Sequence, residues 1–451
     1  MSSFNEKIAL LKQDALFGRV LRNSAHLLST NSVSLALSFL MGILSARLLG
    51  VEGFGLVGLV MGYASTVNSI LSFRMSELVV RYGGEYLETG AKDRAAALVK
   101  ASALAEATVS VLAFLFVVLS SGLAARYFAK TPEAGWMFSL FALGLLANFN
   151  YETSIGVLQI TDRIKLQGTV NLVQSIASLL VIGAAFLWGG GMLLVLLAYL
   201  LGKTILGLGI FILAFNRLRD VLGPAWWRAP LHLIAPYEGL ARFAVSSNIS
   251  ATIIKIFRES ELLWVGLFLS VEAVGYYRAA YTLVGLLSVA IDPLIATVYP
   301  EINRLIVQKA WPPLKDFLRK VTTLALAFNL VQALGFVVLG RWILWVYGKE
   351  YVVAYPALLV LMLGLAFNYT LFWNRPLLLS VGLPGYPILV TLIVGLMKVA
   401  LAVPIVPRFG YVAEAALLSF YYIVSVGVMA RRGVREVDNL SRSEAAGETA
   451  P

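Results

Sequence analysis

The chain has 451 residues, of which 59% are hydrophobic and only 14% are charged, and its formal net charge is +11. A water-soluble chain of this length would form about three domains of ~150 residues each, but a mean hydropathy of +0.82 excludes that class and indicates a polytopic membrane protein. Because the sequence contains no cysteine and only two histidines, disulfides, thiolate chemistry and Cys- or His-based metal sites are excluded, and no cofactor is expected.

Twelve apolar stretches are long enough to cross ~30 Å of hydrocarbon, which takes about 20 helical residues. They are predicted at residues 26–49, 54–74, 101–122, 133–156, 168–188, 192–215, 246–269, 276–299, 317–340, 354–374, 381–403 and 411–430. Apolar runs of this length are typical of transmembrane helices. The expected fold class is therefore an all-α polytopic membrane protein with about 12 transmembrane helices.

The second half of the chain repeats the first at an offset of 220 residues. The segment from Leu49 to Gly55 reads LGVEGFG, and the segment from Leu269 to Gly275 reads LSVEAVG. Shifted by this offset, spans one to six fall on spans seven to twelve. Parallel repeats of this kind are a transporter architecture, because a site between two lobes can face either side of the membrane in turn. The repeat predicts two six-helix lobes related by a parallel pseudo-two-fold axis.

Lys and Arg residues are concentrated in alternate loops. With both termini assigned to the cytoplasm, 25 of the 36 basic residues lie in cytoplasmic segments or at the cytoplasmic ends of spans, and five lie in outer loops. Because Lys and Arg resist translocation, this bias predicts an inner-membrane protein with both termini cytoplasmic, and it explains the positive charge without nucleic acid. The predicted domains are a cytoplasmic N-terminal segment at 1–25, an N-lobe at 26–215, a cytoplasmic linker at 216–245, a C-lobe at 246–430 and a disordered cytoplasmic tail at 431–451.

This orientation makes a direct labelling prediction. Single cysteines introduced at Ser2, Gly190 and Ser443 into the cysteine-free chain should react with a membrane-impermeant reagent from outside only at Gly190. Gly190 lies in the predicted outer loop between spans five and six, whereas the other two lie in the terminal segments. Labelling of all three after permeabilisation is the control, and labelling of Ser2 from outside would contradict the orientation.

Several short patterns occur in the order and spacing of one known family. The end of span one reads Ala46-Arg47-Leu48-Leu49-Gly50 and continues with Gly53-Phe54-Gly55. The second half carries Leu267-Phe268-Leu269-Ser270, Val274-Gly275-Tyr276-Tyr277, Ala280, Tyr299-Pro300 and Tyr347-Gly348-Lys349-Glu350-Tyr351. Together they resemble the O-antigen-type lipid-linked oligosaccharide flippases for polysaccharide biosynthesis, in the multidrug/oligosaccharidyl-lipid/polysaccharide (MOP) exporter superfamily, over roughly residues 20–430. Leu267 and Ser270 stand where the first repeat has Arg47 and Gly50, so only the first half carries the complete signature.

The resemblance implies a V-shaped, two-lobed membrane flippase. Such a protein moves an isoprenoid-diphosphate-linked oligosaccharide from the cytoplasmic to the outer leaflet by alternating access, for cell-surface polysaccharide biosynthesis. The implied partners are the lipid-linked oligosaccharide, membrane lipids, a coupling H+ or Na+, and a polysaccharide polymerase or glycosyltransferase. Two alternatives stay open: a cation-coupled multidrug exporter of the same superfamily, and an integral-membrane enzyme of the polysaccharide pathway. The enzyme is disfavoured because the outer loops are too short for an acidic metal-binding motif.

The candidate site lies in span seven, where Lys255, Arg258, Glu259 and Glu261 interrupt an apolar segment. At ~100° per residue the four side chains share an arc of about 160°, and each charge near the bilayer centre costs ~2.5–3.5 kcal/mol on insertion scales. The stripe therefore either lines a water-filled cavity or consists of mutually paired charges that hold the lobes together. For a diphosphate headgroup, Lys supplies a point charge and Arg a fork of donors, so Lys255, Arg258 and Arg278 are the first substrate-binding candidates.

Further polar residues within the spans complete the list of candidates. Arg47, at the outer end of span one, is either a substrate contact or a side chain that extends to the interface. The coupling-ion candidates are Glu259, Glu261 and Asp292. Asp292 precedes Pro293, a pair that predicts a helix break in span eight. Glu152 in span four, beside Asn148 and Asn150, forms a polar cluster or is simply solvated.

Overall fold

The structure, a computed structural model, describes residues 15–72, 74–234, 252, 257 and 260–445. Side chains are described from residue 33 onward within these ranges, except those of residues 289, 290, 292, 293, 296 and 445. Every regular element in these ranges is helical. The predicted all-α fold class is confirmed.

Sixteen α-helices account for most of the described chain. They are α1 Ala15–Leu71, α2 Met75–Leu78, α3 Gly84–Glu88, α4 Lys92–Tyr127, α5 Gly135–Ala147, α6 Tyr151–Ile160, α7 Lys165–Leu187, α8 Met192–Leu222, α9 Glu261–Phe268, α10 Val271–Gly285, α11 Ser288–Val307, α12 Trp311–Tyr347, α13 Tyr355–Thr370, α14 Asn374–Ser380, α15 Gly385–Phe409 and α16 Tyr411–Ala445. A π-helical segment, Val79–Gly83, joins α2 to α3, and short 3₁₀ turns lie at Pro132–Ala134, Trp226–Arg228, Leu231–Leu233 and Lys349–Ala354.

Within the described ranges, eight helical stretches are long and apolar enough to cross a membrane. Val33–Glu88 contains most of predicted span one and all of span two. The other seven are Lys92–Tyr127, Lys165–Leu187, Met192–Leu222, Trp311–Tyr347, Lys349–Ser380, Gly385–Phe409 and Tyr411–Glu444, which match predicted spans three, five, six and nine to twelve. Span four is divided between α5 and α6, and span eight between α10 and α11. Half of span seven, including Lys255, Arg258 and Glu259, lies outside the described residues.

The break in span eight differs from the predicted one. The helix is interrupted at Leu286 and Leu287, whereas Asp292 and Pro293 lie inside α11. Proline disrupts a helix by clashing with the carbonyl one turn before it. Because α11 begins only at Ser288, Pro293 has little preceding helix to distort, and the chain bends before the proline.

Spans four and ten are interrupted at corresponding positions of the two repeats. α5 ends at Ala147 and α6 begins at Tyr151, while α13 ends at Thr370 and α14 begins at Asn374. Shifted by the repeat offset, the first interruption at 148–150 falls on 368–370, directly before the second interruption at 371–373. The repeat is therefore visible in the backbone as well as in the sequence.

Asparagine side chains donate to backbone carbonyl groups near both interruptions. Asn148 Nδ2 donates to Gly144 O at 2.7 Å. Asn329, on α12, donates through Nδ2 to Ala366 O at 3.2 Å. An unpaired backbone carbonyl at membrane depth costs several kcal/mol. These side chains explain how a helix can stop in an apolar environment.

The turn between the first two spans of each repeat is built differently in the two halves. Gly50 adopts φ +69°, a conformation that side chains with a Cβ rarely adopt, and it kinks α1. At the equivalent position, Ser270 Oγ accepts the Ala273 N–H at 3.2 Å and caps the start of α10. The sequence difference between Gly50 and Ser270 is thus a difference between a glycine kink and a serine cap.

Two repeat-equivalent glycines lie against each other's backbone segments. A Cβ on Gly55 would lie 2.2 Å from Val271 O, and a Cβ on Gly275 would lie 2.2 Å from Val51 O. The offset of 220 residues relates Gly55 to Gly275 and Val51 to Val271, so the contact is reciprocal. Such a close approach requires the absence of a side chain at both positions.

Internal contacts divide the chain into two compact units. We call Ser34–Gly275 the N-unit, and Tyr276–Pro451 together with Met1–Val33 the C-unit. Residues 260–275 therefore belong to the same unit as most of spans one to six. The predicted lobes at 26–215 and 246–430 stay predictions.

The predicted disordered tail at 431–451 is wrong for residues 431–445, which continue α16. Arg432 and Glu436 form an i,i+4 ion pair at 2.9 Å. Lys315 on α12 pairs with Asp438 at 2.6 Å. Periodic charges on one helix, together with a partner on α12, keep this polar segment helical.

Candidate functional site

The predicted stripe of span seven is described at one of its four charged positions. Glu261 lies in the first turn of α9, and its side chain is 1% exposed. Lys255, Arg258 and Glu259 lie outside the described residues. The substrate and coupling roles of the stripe therefore stay proposals.

The other predicted site residues lie on three helices. Arg47 is exposed on α1 in the N-unit, shortly before the kink at Gly50. Arg278 is half-buried on α10 in the C-unit, where its charge acts on Tyr351. Asp292 lies on α11, and its side chain is outside the described set.

A polar cavity lies in the N-unit beside the interruption of span four. Its volume is about 420 Å³, within the range of about 300–1,000 Å³ that is usual for ligand sites. Its walls come from the start of α2, the π-helical segment, α6 and the start of α7. The lining residues are Arg74, Ser76, Glu77, Val80, Tyr151, Glu152, Ile155, Gln159 and Gln167.

The cavity wall carries more negative than positive charge. Arg74 pairs with Glu77, and Glu152 adds a second carboxylate. Gln167 Nε2 donates to Tyr151 Oη at 3.1 Å, which fixes an amide next to a phenol. Carboxylates, amides and a phenol offer both acceptors and donors to a ligand. This wall therefore suits a hydroxyl-rich or cationic group better than a phosphate.

A buried carboxylate on α4 holds the half-helix that forms one wall of the cavity. Glu106 is 4% exposed and accepts the Glu152 N–H at 2.7 Å and the Thr153 N–H at 2.8 Å. These N–H groups belong to the first turn of α6 and have no partner within the helix. The Glu152 side chain in turn accepts a hydrogen bond from Ser76 Oγ at 2.5 Å. Glu106 thus holds the backbone of Glu152, a residue that lines the cavity.

Neutral groups hold the equivalent interruption in the C-unit. Trp373 Nε1 donates to Thr322 Oγ1 at 2.7 Å, and Asn374 Nδ2 donates to Leu371 O at 2.7 Å. The repeat places Leu326 at the position of Glu106. The carboxylate cap is therefore a property of the first repeat.

The C-unit contains a buried ion pair of its own. Lys398 Nζ on α15 lies 2.6 Å from Glu414 Oε1 on α16, and the two side chains are 1% and 0% exposed. A charge that is fully buried in a membrane unit must be paired to be tolerated. This pair joins the helices of spans eleven and twelve.

Sequence reasoning found Glu152 but missed Glu106 and the amides of the cavity. The signal for Glu106 is present, because it is an isolated carboxylate within the apolar stretch 101–122, and such groups are functional by default. Gln159 and Gln167 carry no comparable signal, since polar residues at the ends of spans are commonly solvated.

Comparison with known proteins decides the family. Residues 20–306, more than half of the chain, match the model of the family described as "Polysaccharide biosynthesis protein". The chain belongs to this family. A curated relative of this polysaccharide biosynthesis protein is the inner membrane protein YghQ of Escherichia coli (strain K12). It is 24% identical over 348 residues, which cover 76% of this chain and 96% of YghQ.

Two solved structures share the fold of this polysaccharide biosynthesis protein. One is an inward-facing multidrug resistance MATE family transporter of the MOP superfamily, with a TM-score of 0.75 and 14% identity over 91% of this chain and 96% of that chain. The other is the lipid II flippase MurJ in an inward closed conformation, with a TM-score of 0.66 and 12% identity over 93% and 91% of the two chains. The resemblance to a polysaccharide biosynthesis family is confirmed, and the chain is a multi-pass membrane protein with the fold of these two transporters.

Proposed function

We propose that this protein flips an isoprenoid-diphosphate-linked oligosaccharide from the cytoplasmic to the outer leaflet, for cell-surface polysaccharide biosynthesis. The observation that carries the proposal is the polar cavity beside an interrupted span, in a polysaccharide biosynthesis protein with a MOP transporter fold. Interrupted spans at corresponding positions of two repeats are where transporters place their substrate sites. The fold is also that of a protein named lipid II flippase, which supports a lipid-linked cargo.

The mechanism follows from the chemistry of the headgroup. Sugar hydroxyls and a diphosphate would lose their hydrogen bonds in hydrocarbon, so they must cross in a polar path while the isoprenoid tail stays in lipid. The sugar hydroxyls donate hydrogen bonds to acceptors of the cavity wall, namely Glu77, Glu152 and Gln159. The basic candidates Lys255, Arg258 and Arg278 take the diphosphate, and Arg47 contacts the headgroup at the outer interface.

Alternating access supplies the movement, and the protein makes or breaks no covalent bond. Net accumulation requires an ion gradient or removal of the product by polymerisation. Glu259, Glu261 and Asp292 are the proposed carriers of H+ or Na+. A polymerase or glycosyltransferase that consumes the flipped lipid is the expected protein partner, in an inner membrane where both termini face the cytoplasm.

A cation-coupled multidrug exporter is the second candidate, and one observation favours it. The cavity wall holds two carboxylates against one guanidinium, an arrangement that attracts cationic drugs as well as sugars. The similarity to a multidrug resistance MATE transporter points the same way. Substrate movement therefore has to be measured directly.

Reconstitution into liposomes distinguishes the two candidates. Liposomes that contain the full chain should move a fluorescent polyprenyl-diphosphate sugar between leaflets faster than protein-free liposomes, and they should not accumulate a cationic dye. Movement of the labelled lipid is read from its loss of fluorescence on adding an impermeant quencher. Dye transport without lipid movement would refute the flippase and establish the exporter.

Matched variants connect the transport to the site. Removal of one charge-assisted hydrogen bond costs about 1.5–3 kcal/mol, so Arg258→Ala and Glu77→Gln should slow lipid movement about tenfold or more. Glu85→Gln is the control, because Glu85 is exposed on α3 and does not line the cavity. Equal rates for Glu77→Gln and Glu85→Gln would remove the cavity from the substrate path.

A further inference from the structure

The Glu106 carboxylate is buried without an ion-pair partner among the residues that the structure describes. Its oxygens accept two backbone N–H groups, those of Glu152 and Thr153, at 2.7 and 2.8 Å. A carboxylate has about four lone-pair sites, so the two backbone N–H groups occupy only part of its hydrogen-bonding capacity. Two N–H groups stabilise the charge but do not neutralise it, and a lone charge within a membrane span is expensive.

An unused acceptor and a hydroxyl lie next to this carboxylate. Asn150 Oδ1 is buried and makes no hydrogen bond among the described residues, while the Thr153 hydroxyl, which can donate or accept, lies beside the carboxylate; both side chains are more than nine-tenths buried. Both residues line a small cavity of about 20 Å³, which has room for one water molecule. Ala103, one turn before Glu106 on α4, lines the same cavity. Buried polar groups are rarely left without partners, so the Asn150 acceptor calls for a donor.

A protonated Glu106 would supply that donor. In its charged form, the carboxylate accepts both N–H groups of α6. In its neutral form, one oxygen becomes a hydroxyl that donates to Thr153 Oγ1, or to Asn150 Oδ1 through a water, while the other oxygen keeps one N–H. The site therefore provides hydrogen-bond partners for both protonation states.

We infer that Glu106 is a proton-binding site of the N-unit, and that taking up the proton weakens its hold on the first turn of α6. Glu152 of that turn lines the 420 Å³ cavity, so the proton has a short route between the buried carboxylate and water. Binding or release of the proton at Glu106 changes the capping of α6, the half-helix that follows the interruption of span four. This inference goes beyond the proposed function and does not depend on which substrate is moved.

The charged groups near Glu106 come from its own helix and from the elements packed against it. Glu152 is the neighbour whose charge acts on it, and two nearby carboxylates repel each other when both are ionised. Lys100, on the same helix, donates to Ala229 O at 3.1 Å. Of the basic groups on elements packed against α4, Arg81 lies over the Tyr82 ring and Arg228 over the Trp227 ring. α8 carries Lys203, Arg217 and Arg219, of which Arg217 lies 3.6 Å from Asp220, and His232 lies in the second 3₁₀ turn after α8.

Thermal unfolding of the purified full chain in detergent tests the site without a transport assay. Wild type and Glu106→Gln are compared from about pH 5 to about pH 9. Glutamine imitates the protonated carboxyl, so the two proteins should unfold at similar temperatures at acidic pH. Wild type should lose stability relative to Glu106→Gln as the pH rises, because only wild type then acquires a buried charge.

Controls make the outcome decisive. Glu85→Gln, at an exposed carboxylate on α3, should keep a constant difference from wild type over the same range. Glu106→Met, which is similar in length and cannot titrate, replaces Glu106→Gln if that variant is not recovered from the membrane. A difference between wild type and both Glu106 variants that does not change with pH would overturn the inference. So would a difference that follows the exchange of sodium for choline instead of pH, because a metal cation and not a proton would then occupy the site.

Discussion

Alanine at Gly55 or Gly275 is expected to lower the free energy of unfolding by about 3 kcal/mol or more. Each new Cβ would lie 2.2 Å from a backbone oxygen, that of Val271 or Val51. A backbone oxygen cannot rotate away as the end of a side chain can, so the two segments must separate. Overpacking of this kind is among the few mechanisms that give large losses from one added methyl group.

Membrane abundance and unfolding temperature in detergent measure this effect. Gly122→Ala is the matched control, because Gly122 lies in α4 and a Cβ there would have nothing within 4 Å. That control should be neutral or slightly stabilising, since alanine favours a helix over glycine by up to about 1 kcal/mol. If Gly55→Ala and Gly275→Ala were as stable as wild type, the two backbone segments would be farther apart than the 2.2 Å distances indicate.

Removal of either member of the buried pair Lys398–Glu414 is expected to destabilise the protein by about 3–5 kcal/mol. The two groups are 2.6 Å apart and almost entirely inaccessible. Lys398→Met leaves a carboxylate buried without its partner, and Glu414→Leu leaves an ammonium. The surviving charge, and not the lost attraction, accounts for most of the cost.

The double variant Lys398→Met/Glu414→Leu separates pairing from a role in transport. Replacement of both charges by apolar groups is often neutral or stabilising, so the double variant should recover most of the lost abundance. Unfolding temperatures of the four proteins form a double-mutant cycle whose coupling term measures the pair. Additive losses in the double variant would contradict the pairing.

The sequence predicted the helices best where apolarity is continuous. Spans three, five, six and nine to twelve each correspond to a helical stretch of the expected kind, because a run of about 20 apolar residues is a local property that needs no knowledge of neighbours. Spans four, eight and ten were predicted as single spans, and each is interrupted. The interruption at Asn148 depends on a carbonyl acceptor and on Glu106 of another helix, and hydropathy carries neither.

The candidate site was predicted from charge alone. The stripe of span seven and Glu152 were proposed because charged residues in an apolar run are conspicuous, and the roles of the stripe stay predictions. Glu106 is equally conspicuous in span three, but its function as a cap for α6 appears only when α4 and α6 are seen side by side. The tail at 431–445 was predicted to be disordered because its partners, Lys315 among them, lie more than one hundred residues away.

The sequence by itself determined the membrane class, the helical spans and the internal repeat, because apolar runs, basic loops and residue offsets are written along the chain. Only the tertiary structure decided which charges meet. It joins Lys398 to Glu414, brings Gly55 against Val271 and places Glu106 beneath the first turn of α6. The physical reason is that the energy of a buried charge or a missing Cβ depends on the atoms packed around it, and those atoms come from other helices.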